Sequence, residues 1–336
     1  MHLELVVPAL LPAQELPPIK RMPALELLLA RGRGSKATRG SLESWLCRAF
    51  GLDDSDPVPA GALTAYAHGL DPGDDHWLRA DPIHLRADRN SLLLIPNQAF
   101  SIAAAEAQEL AAALAPLLAG KYDLRAPSPG QWCLRIEGGA QGDAGERPPV
   151  DLAGANIDPH LPPKQWLALL TELQMALYHS PVNTAREERG VPAINSLWLW
   201  GAGKLPAAAN GPWHSVSAAD PLALGLARLA GIRHRAPGVG AKQWLERAPE
   251  DGRHLLVFDD LRGLQALGDF EALAQRRREL EANWFAPLLA ALKSRRIGML
   301  TVHVPQAALC VETARGDLGR FWRRPRPLAS YVLEAA

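Results

Sequence analysis

The most informative segment of the chain is Ile194-Asn-Ser-Leu-Trp-Leu-Trp-Gly-Ala-Gly203, an apolar run that ends in two glycines. Ile194 to Leu199 consists mostly of the β-prone and apolar residue types that form buried strands. Gly201 and Gly203 carry no Cβ, so the backbone there turns sharply or approaches another group closely. Ligands of open α/β sheets bind beyond the carboxyl ends of strands. The stretch therefore predicts a strand with a pocket at its tip, and Gly201 and Gly203 as ligand-binding residues.

Strands and helices alternate around this stretch, which predicts βαβ units on a mostly parallel sheet flanked by helices. The predicted elements of the second half are helices at Pro162–His179, Pro221–Leu229, Gln243–Ala248 and Phe270–Leu292, and strands at Ile194–Leu199, His254–Phe258 and Ile297–Val304. Earlier in the chain, a hairpin at Trp77–Ile95, a helix at Ile102–Leu118 and a strand at Asp123–Glu137 predict a smaller α+β lobe. We therefore expect an α/β core made of residues 1–76 and 150–336, with an inserted lobe at 77–149 that ends in the glycine-rich loop Gly138–Pro149.

Composition limits the classes of function. The chain has 336 residues, of which 48% are hydrophobic, and its 36 Lys and Arg balance 36 Asp and Glu. This balance argues against a nucleic-acid partner and against attraction to an anionic membrane. Neither a signal peptide nor an apolar window long enough to span a membrane is evident. Cys47, Cys133 and Cys310 are too widely spaced for a metal clip, which favours buried free thiols and a cytoplasmic location.

A pair of acids, Asp259-Asp260, follows the predicted strand that ends at Phe258. Adjacent carboxylates at a strand end are of the kind that hold Mg²⁺ or Mn²⁺ or act as acid and base. The alternative is that they cap the next helix. Asp269 has the same two interpretations, and capping of the long helix is favoured for it. His303 lies within a predicted strand and is expected on a sheet face or in the interior.

Two clusters of arginines have similar alternatives. Arg79, Asp81, His84 and Arg86 form either an anion site or a structural ion-pair network on the hairpin, and the network is favoured. The segment Arg320-Phe-Trp-Arg-Arg-Pro-Arg326 mixes aromatic rings with arginines, as nucleic-acid surfaces do. Because it is short and the net charge of the chain is balanced, we expect instead a solvated tail that packs its Trp322.

Three short stretches resemble a family of bacterial RpfE-type regulatory proteins, which are often described loosely as phosphoglycerate mutases. They are Leu78-Arg-Ala-Asp-Pro-Ile-His-Leu85, Asn195-Ser-Leu-Trp-Leu-Trp-Gly-Ala-Gly203 and Phe321-Trp-Arg-Arg-Pro325. More distantly, the chain resembles archaeal-type cofactor-independent phosphoglycerate mutases of the alkaline phosphatase superfamily. The matching segments are Pro23-Ala-Leu-Glu26, Gly69-Leu-Asp-Pro72, Gly201-Ala-Gly203 and Gly268-Asp269. This resemblance implies an alkaline phosphatase-like α/β fold with a lid-like insertion.

The active-site motifs of those mutases do not carry over. Their first strand ends in a metal-binding Asp-Gly, whereas here Pro8-Ala9 follows the strand. Their phosphorylated serine lies in Pro-Gly-Ser-Asp, and the nearest match identified here is Pro59-Ala-Gly-Ala62. Their late strand ends in Asp-His, where this chain has Val302-His303-Val304. Asp259, Asp260 and Asp269 are left as candidate metal ligands, fewer than the five to seven that two metals need.

Two hypotheses follow from the resemblance. The first is a non-catalytic relative with a regulatory or binding role, no cofactor, and either a protein or a small phosphorylated ligand as its partner. The alternative is a phosphomutase or phosphohydrolase with a rebuilt site, in which Asp259, Asp260 and His303 act together with Thr64 as nucleophile. Only this alternative requires a divalent metal such as Mn²⁺ or Zn²⁺.

Overall fold

A computed structural model describes residues 1–11, 20–53, 57–88, 91–137, 145–248 and 251–332 of the chain. The chain divides into two compact units. The first unit consists of Met1–Gly51 and Ala209–Ala336, and the second unit is Leu52–Ala208. The second unit contains the whole of the lobe predicted at 77–149. It is larger than that lobe because helices and a strand from both flanks pack into the same sheet.

The described residues form twelve strands and twelve α-helices. The strands are β1 (His2–Val6), β2 (Arg33–Lys36), β3 (His76–Asp88), β4 (Ser91–Pro96), β5 (Tyr122–Ser128), β6 (Gln131–Ile136), β7 (Ser196–Gly203), β8 (Ser215–Ser217), β9 (Arg233–Arg235), β10 (Arg253–Val257), β11 (Met299–Val304) and β12 (Leu309–Ala314). The helices are α1 (Pro23–Arg31), α2 (Leu42–Ala49), α3 (Ala60–Ala67), α4 (Ala104–Leu118), α5 (Lys164–Tyr178), α6 (Pro181–Glu188), α7 (Pro221–Leu229), α8 (Ala241–Arg247), α9 (Asp260–Ala266), α10 (Phe270–Leu280), α11 (Ala286–Lys293) and α12 (Ala329–Val332).

The first unit is built on a seven-stranded sheet of order β2-β12-β11-β1-β10-β8-β9. Its strands from β11 to β9 pair in parallel, and β12 and β2 add two antiparallel strands at one edge. Helices flank this sheet, and the predicted fold class is confirmed: an α/β protein with a mostly parallel sheet and a smaller α+β part.

The two faces of this sheet differ in polarity because side chains alternate along each strand. On β1, Leu3 and Leu5 join the apolar core that the sheet forms with α1, α10 and α11. Glu4 points to the opposite face, where it is nevertheless buried. The polar side of the sheet therefore contains a buried carboxylate that needs a partner.

The second unit contains a sheet that is antiparallel throughout. Its strands follow the order β4-β3-β6-β5, and β7 also pairs with β3. The apolar core beneath this sheet contains Leu197 and Leu199 from β7 together with residues of α4, α5 and α6. Trp198 and Trp200 alternate with these leucines and lie on the opposite face.

Most of the stretch Ile194–Gly203 forms a strand, β7 (Ser196–Gly203), but its predicted placement is wrong. It pairs antiparallel with β3 in the second unit instead of joining the parallel sheet. The strand continues through Gly201 and Gly203 and does not end at Leu199. An apolar run predicts burial on both faces but not the identity of the neighbouring strand, since parallel and antiparallel partners bury the same side chains.

Several other elements of the structure differ from the predicted ones. The single long helix at Phe270–Leu292 is interrupted by a π-helical turn at Glu281–Phe285, between α10 and α11. The strand predicted at Asp123–Glu137 is a hairpin of two strands, β5 and β6. Residues 138–144 of the predicted boundary loop and residues 89–90 of the hairpin connection lie outside the described residues.

Two expectations from composition can be compared with the structure. Cys47, Cys133 and Cys310 are free and buried, as predicted. No helix in the described ranges is long and apolar enough to cross a membrane. The prediction for the Arg320–Arg326 segment is wrong in one respect, since the Trp322 side chain is 67% exposed and not packed.

Candidate functional site

The carboxyl edge of the parallel sheet in the first unit is where this fold class binds ligands. Pro8-Ala9 follows β1, Asp259 follows β10, and Pro305 follows β11. Asp220 lies three residues beyond the end of β8 and caps α7 by accepting a hydrogen bond from the Ala223 N–H at 2.8 Å. Three acids, Asp220, Asp259 and Asp260, and no histidine therefore lie within three residues after these four strand ends.

A buried arginine compensates the acids at this edge. Arg262 lies in the first turn of α9, and its Nη1 contacts Oε1 of Glu43 at 2.7 Å. Both side chains are only 8% exposed. Burial alone would raise the pKa of Glu43, but the charge and hydrogen bonds of Arg262 lower it below its usual value. Glu43 is therefore ionised and paired with Arg262 at neutral pH.

Asp220 and Asp259 respond differently to the same surroundings. Burial and the nearby charge of Asp259 raise the pKa of Asp220 to about 7. Burial is also the main cause of the raised pKa of Asp259. The positive charge of Arg262 opposes both shifts without removing them. The edge thus holds one compensated carboxylate and two carboxyl groups that accept protons more readily than usual.

The acids predicted as metal ligands do not come together. The carboxylate of Asp260 contacts Nε of Arg276 at 2.5 Å. Asp269 caps α10 by accepting a hydrogen bond from the Ala272 N–H at 3.0 Å, which confirms the favoured capping role. Asp259 makes no side-chain capping bond to α9. Within the described ranges, no group of three or more His, Cys, Asp or Glu is arranged to hold a metal ion.

His303 belongs to a separate network on the polar face of the sheet. Its Nε2 lies 3.4 Å from Oε2 of Glu4, and its ring centroid lies 4.9 Å from that of Trp45. Burial would lower the pKa of His303, but hydrogen bonding to Cys310 and Glu4 raises it to about 9. Although burial opposes the shift, hydrogen bonds from His303 and Arg253 lower the pKa of Glu4 to about 2. His303 therefore completes a buried ion pair on a sheet face.

Ser41 is a candidate that the sequence analysis missed. It caps α2, where its Oγ accepts a hydrogen bond from the Ser44 N–H at 3.1 Å. The preceding Gly40 donates its N–H to the carbonyl of Pro305 at 3.2 Å, which holds this helix start beside the end of β11. The Gly40-Ser41 pair directly before a helix is closer to the Gly-Ser of the mutase motif than Pro59-Ala-Gly-Ala62 is. This Gly-Ser pair was the signal available in the sequence.

Thr64 and the arginine cluster lie in the second unit, where they form one buried network. Arg79 pairs with Asp81 and donates from Nη1 to Oγ1 of Thr64 at 3.2 Å. Trp200 donates its Nε1–H to Oδ2 of Asp81 at 2.7 Å. Thr64 is fully buried, and Arg79 is 7% and Asp81 3% exposed. These contacts match the structural network favoured from the sequence for Arg79 and Asp81, but not for His84 and Arg86. Burial removes Thr64 from contact with solvent.

Of the remaining candidates of the second unit, Gly201, Gly203 and His84 have intramolecular explanations. At Gly201, where φ is +62°, an added Cβ would lie 2.5 Å from Cβ of Ala60 in α3. An added Cβ at Gly203 would lie 2.8 Å from Cβ of Pro59. The two glycines therefore allow α3 to pack directly on β7. Nδ1 of His84 lies 2.8 Å from the carbonyl of Ala193, while Arg86 is exposed.

Comparison with known proteins relates part of the chain to phosphoglycerate mutases. The chain is 30% identical over 153 residues, or 44% of its length, to a probable 2,3-bisphosphoglycerate-independent phosphoglycerate mutase of Geobacter sulfurreducens. The aligned stretch spans 38% of that relative's length. No protein-family profile matches the chain. The RpfE-type assignment stays a prediction.

One solved structure has a similar fold. The PH0037 protein of Pyrococcus horikoshii matches with a TM-score of 0.51 and 17% identity, over 92% of this chain and 84% of that chain. The cofactor-independent phosphoglycerate mutase of Thermoplasma acidophilum aligns over 98% of this chain and 95% of its own, with 19% identity and a TM-score of 0.45. The chain is thus similar in fold to PH0037 and, over part of its length, similar in sequence to a mutase.

The metals of the alkaline phosphatase superfamily can be tested against these residues. Pro8-Ala9 supplies no carboxylate after β1, and His303 already pairs with Glu4. Glu43, the most buried acid of the edge, is paired with Arg262. Among the described residues, those at this edge do not fit a two-metal site, which needs about five to seven protein ligands.

Proposed function

We propose that this protein is a degenerate relative of the cofactor-independent phosphoglycerate mutases, one that keeps an alkaline phosphatase-like scaffold and serves a regulatory or binding role. The observation that carries the proposal is the buried Arg262–Glu43 pair at the carboxyl edge of the sheet. A guanidinium group there supplies positive charge that a metal ion supplies in a metalloenzyme. A cation fixed by the chain compensates carboxylates but provides no open coordination position for a substrate.

The charge states of the neighbouring acids support the same proposal. Metal ligands bind as carboxylates, and metal binding requires them to lose their protons. Asp220, with its pKa raised to about 7, retains a proton in a large fraction of molecules at neutral pH. The edge thus holds a permanent organic cation and two acids whose protonation metal binding would have to reverse.

The alternative, a phosphomutase or phosphohydrolase, has two observations in its favour. Ser41 caps α2 beside the end of β11, and the partial sequence match is to a probable mutase. Thr64, the nucleophile first considered, is fully buried and hydrogen-bonded to Arg79. Under this alternative, Ser41 replaces Thr64 as the nucleophile.

Metal analysis combined with turnover assays tests the proposal. The full-length protein is expressed with added Mn²⁺ and Zn²⁺, and its metal content is measured by plasma mass spectrometry. Interconversion of 2- and 3-phosphoglycerate and hydrolysis of p-nitrophenyl phosphate are measured in parallel, with the Geobacter sulfurreducens protein as a comparison. We expect substoichiometric metal and no turnover.

A stoichiometric metal, together with turnover that a chelator abolishes, would overturn the proposal. Ser41→Ala then distinguishes a genuine site from a contaminating phosphatase. Turnover that survives this substitution cannot come from a Ser41 nucleophile. Turnover that Ser41→Ala abolishes, while Ser44→Ala preserves it, would establish the enzyme alternative.

A further inference from the structure

Two arginine-rich segments that are distant in sequence lie side by side on the first unit. Residues 31–39 contain four cations and no acid, and residues 315–326 contain five cations and one acid, Asp317. Nine cations and one carboxylate give these segments a net charge of +8, whereas the whole chain has a formal net charge of 0. We call residues 31–39 and 315–326 the basic–aromatic surface.

The pairing of strands brings the two segments together. β2 is an edge strand of the seven-stranded sheet and pairs antiparallel with β12, which leads directly into residues 315–326. All four residues of β2 are exposed. The nearest further acid on β12, Glu312, lies opposite Arg33 in this register. One additional carboxylate leaves a large excess of positive charge.

A set of hydrogen bonds fixes the surface in place. The buried Asp317 accepts from Nε of Arg33 at 3.1 Å and pairs with Arg320 at 2.9 Å. Nη1 of Arg31 donates to the Leu318 carbonyl at 2.5 Å, and Nη1 of Arg323 donates to the Gly32 carbonyl at 2.7 Å. These bonds tie the backbone of one segment to the side chains of the other. The charge is therefore presented on an ordered surface rather than on a solvated tail.

Two aromatic rings stand exposed within this charge. Phe321 is 78% and Trp322 is 67% exposed, and their ring centroids lie 5.2 Å apart at an interplanar angle of 82°. Lys36, Arg315 and Arg324 are exposed as well. Burial of a large aromatic side chain is favourable, and an exposed ring does not gain this free energy. Two adjacent exposed rings therefore indicate a partner that covers them.

We propose that the basic–aromatic surface binds single-stranded nucleic acid, with Phe321 and Trp322 stacking on bases and the surrounding cations contacting phosphates. Exposed rings flanked by guanidinium groups match a strand whose bases are unstacked, since such bases stack on aromatic faces and on arginine planes. Eight of the nine cations are arginines, the side chain best suited to bidentate phosphate contacts. The binding does not depend on the absence of metal chemistry proposed above.

The small apolar area of the surface favours this partner over a membrane. The large exposed apolar side chains of the surface are limited to two rings, and Gly34, Gly316 and Gly319 of the same segments add no side chain. Interfacial membrane binding needs a broad apolar face in addition to basic residues. A nucleic acid strand needs only stacking positions and a path of positive charge.

The test is fluorescence anisotropy of a labelled single-stranded oligonucleotide titrated with the full-length protein. If four cations each contact a phosphate, the affinity falls by about 50-fold between 50 and 200 mM salt, because the salt slope is about −0.7 per contact on a single strand. Trp322→Ala is expected to weaken binding by about 5- to 150-fold, the range for loss of one stacked base. Tyr178→Ala, which removes a side chain that is 79% exposed in the second unit, serves as the matched aromatic control and is expected to have no effect.

Charge reversal separates this surface from general electrostatics. The double variant Arg315→Glu and Arg324→Glu is expected to abolish measurable binding at 200 mM salt. The control variant Arg247→Glu and Arg278→Glu changes the net charge equally at exposed positions elsewhere in the first unit and is expected to bind as the wild type does. Equal loss in both double variants would overturn the assignment of the site.

Two further outcomes would overturn the identity of the partner. Binding to anionic phospholipid vesicles without binding to the oligonucleotide would assign the surface to a membrane. Equally tight binding of inorganic polyphosphate, unaffected by Trp322→Ala, would show that bases are not recognised. Stronger binding of the oligonucleotide than of polyphosphate, with sensitivity to Trp322→Ala, is the expected result.

Discussion

Replacing Arg262 by methionine removes a buried cation and leaves the carboxylate of Glu43 in a nearly dry environment. Both side chains are 8% exposed, and their charged atoms lie 2.7 Å apart. Removing one partner of a buried ion pair costs about 3–5 kcal/mol, because the remaining charge is desolvated without compensation. We expect Arg262→Met to lower the free energy of unfolding by about this amount near pH 8. The measurement is urea denaturation followed by circular dichroism and tryptophan fluorescence.

Arg276→Met provides the matched control. Arg276 pairs with Asp260 through side chains that are 29% and 44% exposed, so solvent screens this interaction. Its loss is expected to cost no more than about 1 kcal/mol. Combining Arg262→Met with Glu43→Gln removes the stranded charge, and the double variant should recover much of the lost stability. Equal costs for the two arginines, or no recovery in the double variant, would refute the reasoning.

The pH dependence of Arg262→Met gives a second check. In the wild type, Arg262 lowers the pKa of Glu43, so this pair stabilises the fold at neutral pH and the contribution is lost as the pH falls. Without Arg262, burial dominates and the folded-state pKa of Glu43 rises above its unfolded value. The stability deficit of the variant should therefore be larger near pH 8 than near pH 5. A deficit independent of pH would indicate lost packing alone.

Three further predictions concern other positions. The pKa of His303 is raised to about 9, so its contribution to the free energy of unfolding is complete below about pH 6.5 and is lost as the pH rises through 9. Urea titrations should show that the free energy of unfolding falls by ~2–3 kcal/mol over this window, and His303→Gln should abolish this fall. The pKa of Asp220 is raised to about 7, so the wild type loses stability as the pH rises from about 4 to 7. Asp220→Asn keeps the helix cap, and this variant should be more stable than the wild type by ~2 kcal/mol near pH 8, with no gain near pH 4. Gly201→Ala should cost ~3 kcal/mol in the same assay, because a methyl group there meets Cβ of Ala60 at 2.5 Å. Gly190→Ala, at a similar φ of +70° with no atom within 4 Å, should cost only ~1 kcal/mol, and equal costs would exclude the contact as the cause.

The sequence predicted local features where local chemistry decides them. The bounds of α7 match the prediction of Pro221–Leu229, because proline begins the helix and Gly231 follows its end. Asp269 was favoured as a helix cap, and it is one. Burial of the three cysteines followed from their spacing and apolar character. For α7 and for the cap at Asp269, the outcome depends on neighbours within a few residues.

The candidate site was harder to predict, because its partners come from distant parts of the chain. Glu43 and Arg262 are 219 positions apart, and neither residue belongs to a recognisable motif. Arg79 and Asp81 were identified, but only their burial with Trp200 shows that they serve the interior of the second unit. Ser41 was overlooked because its Gly-Ser motif lacks the following acid.

From the sequence alone, one could predict an α/β protein, a buried strand within Ile194–Leu199, and a close backbone approach or sharp turn at Gly201 and Gly203. Only the tertiary structure decided which strand lies beside it, since hydrophobic alternation specifies a buried face but not its neighbour. The same holds for the basic–aromatic surface. Each segment is short, and neither one alone indicates a basic surface in a chain whose charges balance. The pairing of β2 with β12 brings the two segments together although they are separated by almost the whole chain. The charges of the two segments combine because the segments lie close together, and the pairing of β2 with β12 sets that proximity.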